Sequence, residues 1–91
     1  MSVTKTILFI TALFLFQLSY SQEKKGHSAG KLKQLAQAAE YINDWQSAAE
    51  YYTLYLEKKS PDYKVLYQLA EAQRKVGSYS AAQENYKTVF E

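Results

Sequence analysis

Lys31-Leu-Lys-Gln-Leu-Ala-Gln-Ala-Ala-Glu40 and Val65-Leu-Tyr-Gln-Leu-Ala-Glu-Ala-Gln-Arg74 stand 34 residues apart and agree at five of their ten positions. The agreement continues outward. Pairing residues 29–57 with 63–91 at that offset gives nine identities in 29 pairs, where ordinary composition gives roughly two. Leu32/Leu66, Gln34/Gln68, Leu35/Leu69, Ala36/Ala70 and Ala38/Ala72 lead. Ala48/Ala82, Glu50/Glu84, Tyr52/Tyr86 and Glu57/Glu91 follow. Fixed-period self-similarity of this kind marks one structural unit used twice.

Within each copy the apolar residues step by three and four, the spacing of an amphipathic helix. Leu32, Leu35, Ala36, Ala39 and Ile42 form the first stripe, and Trp45, Ala48, Ala49, Tyr52, Tyr55 and Leu56 the second. Leu66, Leu69, Ala70, Gln73 and Val76 form the third, and Tyr79, Ala82, Tyr86, Val89 and Phe90 the fourth. Asn43-Asp44 and Gly77-Ser78 each supply a left-handed stop residue followed by a capping residue. Ser60-Pro61-Asp62 separates the second helix from the third. No run alternates with period two, so the expected fold is all-α: antiparallel helix hairpins stacked as an α-solenoid.

The period of 34, with Leu66-x-x-Leu69-Ala70, Gly77-Ser78-Tyr79, Ala82 and Tyr86, resembles the tetratricopeptide repeat family. The first copy answers with Leu32-x-x-Leu35-Ala36, Asn43-Asp44-Trp45, Ala48, Tyr52 and Pro61. Ala36, Ala48, Ala70 and Ala82 are small where paired helices must approach, and Trp45, Tyr52, Tyr79 and Tyr86 fill the space beside them. Leucine stands in place of the family's frequent tryptophan, Pro61 falls one residue late, and Gln73 occupies a usually aromatic site. The boundaries that follow are residues 31–62 for one repeat and 63–91 for a second, incomplete one. A glycine-bearing lead-in over 22–30 precedes them.

The front of the chain has a different character. One positive charge, Lys5, precedes the apolar run Ile7–Phe16, and Ser19 and Ser21 then flank a bulky residue. This is the layout of a secretory signal peptide over residues 1–21, with cleavage between Ser21 and Gln22. About ten apolar residues are too few for a spanning helix, which needs about 20, so no stable membrane span is expected after cleavage. The implied location is export, to the periplasm or the outer membrane rather than the medium. Loosely, the layout resembles the N-terminal parts of bacterial outer-membrane-associated proteins with peptidoglycan-binding domains downstream.

Composition excludes several functions. After residue 21, ten Lys/Arg face nine Asp/Glu, which is no footprint for nucleic acid. The chain has no cysteine and one histidine, His27, so thiol chemistry and histidine-based zinc sites are excluded. His27 lies in the lead-in without a nucleophile beside it, and no glycine-rich phosphate loop is present. The expected protein has no cofactor, no metal and no catalysis.

Polar stripes that the packing leaves over fall on the opening helix of each copy. They are Lys33, Gln37, Glu40 and Tyr41 in the first, and Lys64, Tyr67, Glu71, Arg74 and Lys75 in the second. In the family this sequence resembles, such stripes line a concave groove that holds peptides. Long donors and flat rings suit that task. The expected function is an adaptor for another protein or peptide. The contrasting expectation is a structural spacer in a larger envelope protein, with nothing in the groove. Glu91 corresponds to Glu57, four residues before the counterpart of Pro61 would fall. A continuing array is therefore expected, with Val89 and Phe90 open to water and inviting self-association where it is cut.

Overall fold

The computed structural model describes residues 26–91, and these form four helices with no strand among the described residues. They are α1 (Ala29–Tyr41), α2 (Trp45–Lys58), α3 (Tyr63–Lys75) and α4 (Tyr79–Phe90). The signal peptide and its cleavage point between Ser21 and Gln22 lie outside the described residues, as does the first part of the lead-in. Ser28 opens α1 by accepting a hydrogen bond from the Lys31 amide, so the helix begins two residues ahead of the expected 31.

The two hairpin turns are built alike. Asn43 at φ 61° and Gly77 at φ 87° take the left-handed conformation that ends a helix. Asn43 donates to the Glu40 carbonyl and Asp44 to that of Ala39. Gly77 and Ser78 repeat the pattern onto Arg74 and Gln73. Each pair satisfies two carbonyls that would otherwise be orphaned at the helix end. The following residue opens the next helix, but in two ways. Asp44 accepts from the Ser47 amide, whereas Ser78 makes no side-chain capping bond, so its expected capping role is met by backbone alone. At the third junction Asp62 caps α3 by accepting from Val65. It was expected only as part of a chain break.

Each helix packs on its neighbour in the chain, α1 on α2, α2 on α3 and α3 on α4. Ala36 and Ala39 of α1, Ala48 and Tyr52 of α2, and Val65, Leu69 and Ala72 of α3 form one buried cluster. Ala70 and Ala82 are buried where α3 meets α4 closely. All four alanines of the duplicated pattern thus sit where small side chains let backbones approach. Tyr52, at 0% exposure, is the largest fully buried side chain. Tyr55 instead donates its hydroxyl to Asp62 at the α2–α3 junction, so it serves the seam between hairpins.

The apolar stripes need correction at their ends. Ile42 and Val76 are exposed because they are the residues at which α1 and α3 stop, beyond the last helical turn. Tyr79 and Phe90 are 68% and 73% exposed because α4 has one principal neighbour, and its far flank meets water. Conversely Val65 and Ala72 are fully buried although they lie off the third stripe: α3 is clasped by α2 on one side and α4 on the other. Gln73, the polar break in that stripe, accepts a 2.8 Å hydrogen bond from Asn85 across α3 and α4. No helix among the described residues is long and apolar enough to cross a membrane.

Candidate protein-docking groove

The side chains expected to be free on the opening helices divide into two groups. Five of them reach neighbouring groups. Lys33 places its ammonium 5.9 Å from the centre of the Tyr55 ring, close enough to act on Asp62. Glu40 lies beside the buried Tyr52 hydroxyl. Glu71 accepts a 2.6 Å hydrogen bond from Tyr86 and a 2.9 Å ion pair from Arg74. Lys75 stands 3.9 Å above the Trp45 ring. Apart from the Arg74–Glu71 pair, which lies within α3, these are links between helices. Gln37, Tyr41 and Lys64 are exposed, Tyr41 at 90%, and Tyr67 is part-exposed with its ring packed against α4.

The electrostatics of the first group follow from those contacts. The Tyr55 hydroxyl, and after it the Val65 amide, hold the Asp62 carboxyl below its usual range. Tyr86 and then Arg74 do the same for Glu71. A carboxylate depressed on folding stabilises the fold above its unfolded pKa, and that contribution is lost as pH falls through the folded value. Melting temperature should therefore drop on acidification below about pH 4. An Asp62→Asn/Glu71→Gln double variant, which keeps acceptors at both sites, should show a shallower acid slope. Melts across the acid range check this, and equal slopes for both proteins would remove these two groups as the cause.

Tyr52 carries the opposite sign. Burial first, then the Glu40 carboxylate, push its phenol above the ordinary value of 10.0, and its hydroxyl meets no partner at hydrogen-bonding geometry. A raised tyrosine stabilises the fold at pH values below its unfolded pKa and loses that contribution as pH rises through the folded one.

Two members of the second group, Lys64 and Tyr67, border a groove of about 620 Å³ between the start of α3 and the end of α4, whereas Gln37 and Tyr41 lie on α1 away from it. Tyr63, Lys64, Tyr67, Gln68, Val89 and Phe90 line it. The ring of Tyr67 meets those of Tyr86 and Phe90 edge-on at 5.8 and 6.1 Å, which fixes the aromatic wall. Lys64 adds an exposed cationic side chain to the lining. Gln68, one of the lining residues, holds a buried carbonyl oxygen, Oε1, that meets no hydrogen-bond donor among the described residues. Chemically this is an apolar seat with one buried acceptor and one cation.

Of the groove's six lining residues the polar stripes contain only Lys64 and Tyr67. Val89 and Phe90 belong to the fourth apolar stripe, whose flank is expected to be open. Tyr63 and Gln68 carried no signal as lining residues, since their part depends on how α4 crosses α3. The offset of 34 does hold a signal for the other two: it maps Val89 and Phe90 onto Tyr55 and Leu56, residues at the seam with the next hairpin. Among the described residues no three His, Asp or Glu side chains are grouped as for a metal ion.

No family model matches the chain, and no curated protein and no solved structure matches it.

Proposed function

We propose that this chain is a helical-repeat binding module of the tetratricopeptide kind, an exported adaptor that holds another protein at the groove between α3 and α4. The observation that carries the proposal is the groove itself. Apolar walls from Tyr63, Tyr67 and Phe90 sit beside a buried acceptor that lacks a donor. A buried, unsatisfied polar oxygen costs free energy until a donor reaches it. An N–H group on an incoming segment meets that need, while its apolar side chain fills the aromatic seat and a carboxylate finds Lys64. No reacting group is needed for such a role. Export is supported by the charged, apolar and small-residue order of the first 21 residues.

The test is site-specific photo-cross-linking in cells that express the complete sequence. A photoreactive phenylalanine analogue at Tyr63 should give discrete protein adducts. The same analogue at Thr53, an exposed position on α2, should give none. Equal and diffuse labelling at both positions would instead favour the spacer reading.

A further inference from the structure

Internal symmetry says what shape fits the groove. On the first hairpin the place corresponding to the groove is already filled. Tyr55 corresponds to Val89 and Lys33 to Tyr67, and what lies against them is Asp62, the cap of α3. At the other end of the same seam Lys75 of α3 covers Trp45 of α2. The counterpart of Trp45 is Tyr79, which is 68% exposed. The face of α3–α4 that corresponds to the docking face of α1–α2 is therefore open along its length.

A matching helix face is open as well. The face that α3 presents to α2 includes Leu69, Ala72 and Lys75, and its counterparts on α1 are Leu35, Ala38 and Tyr41. Leu35 is half-buried, while Ala38 and Tyr41 are exposed. A further hairpin after α4 would cover the α3–α4 face and leave the α1 face bare. A second copy of this chain covers both kinds. From this we infer that the occupant of the groove is another copy of the chain, with its α1 docked head-to-tail on α3–α4 as α3 docks on α2. This rests on the proposed binding role and names its partner. Ser28, the α1 cap, takes the place of Asp62, and Tyr41 stacks near Tyr79 as Lys75 does over Trp45. Lys31 stands where the internal seam has the buried Val65, so the contact between copies is weaker than the one within a copy. The interface is heterologous, joining two different faces, and it leaves one of each free, so the assembly grows with concentration instead of stopping at a dimer.

Sedimentation of the chain recovered from cells expressing the complete sequence tests this, over a series from about 1 μM to about 1 mM. Wild-type mass should rise past that of a dimer. Tyr41→Glu and Tyr79→Glu each change an exposed side chain and should each remain monomeric alone. Mixed one to one they should form a dimer and nothing larger, because each retains the face that the other lacks. A wild-type monomer throughout overturns the inference, as does self-association of Tyr41→Glu equal to that of wild type. Symmetric pairing through α4 overturns it too, and is recognised when only Tyr79→Glu dissociates and mixing restores nothing. If wild type stays monomeric while Tyr63 still cross-links to a different protein, the binding role stands and the self-partner falls.

Discussion

Tyr52→Ala is expected to leave the chain unfolded at room temperature, with helical circular dichroism lost or melting without a cooperative transition. Tyr52 is fully buried between three helices, sharing its cluster with Ala36 and Ala39 of α1 and with Val65, Leu69 and Ala72 of α3. Deleting a large aromatic side chain from a core costs about 3–5 kcal/mol, because the lost burial adds to the cavity left behind. A domain of this size rarely holds more than about 3–5 kcal/mol in total. The neighbours that would have to collapse into the hole are mostly alanines, too short to fill it. Tyr52→Phe separates size from polarity. The ring is kept and an unpartnered hydroxyl is removed, so stability should be unchanged or higher, with alkaline unfolding shifted to higher pH. A clear loss of stability in Tyr52→Phe would show that the hydroxyl has a partner after all.

Ala36→Leu carries the second large effect and the opposite physics. Ala36 has no exposed surface and lies where α1 and α2 meet, with Ala48 in the same cluster. Three added carbons have no space at such a crossing, and overpacking of this kind costs typically about 1–3 kcal/mol. A value at the upper end removes most of the available stability. The same change at Ala38, exposed on α1 two residues further on, should be nearly silent for folding. Urea denaturation of the two variants measures the contrast. Equal midpoints would mean that α1 does not sit on α2 through Ala36.

The duplicated pattern made most of this fold legible. The offset of 34, the stop residues Asn43 and Gly77 and the four small alanines all lie in short-range sequence, and the backbone uses them as expected. Legibility stopped where one helix has two neighbours. α3 buries Val65, Leu69 and Ala72 in the cluster it shares with α1 and α2, and Ala70 apart from it, whereas a single-stripe reading finds one face only. It stopped again at long side chains. Lys33, Glu71, Arg74 and Lys75 look free by spacing, yet each has the reach to meet a group on another turn or helix. Whether it does depends on crossing geometry that no local pattern encodes. The aromatic seat of Tyr63, Tyr67 and Phe90 has the same origin, since it exists only once α4 has folded back over α3.

The packing of α3 on α2, which joins the second pair of helices to the first, underlies the proposed assembly. Its most direct test is the contact between Lys75 and Trp45, which joins the second hairpin to the first at 3.9 Å. In solution NMR the Lys75 ε-methylene protons should be shifted upfield by the indole ring current, with nuclear Overhauser contacts to the Trp45 ring. Lys75 at random-coil shifts without those contacts, while Tyr67 still meets Phe90 within its own hairpin, would contradict the stacking.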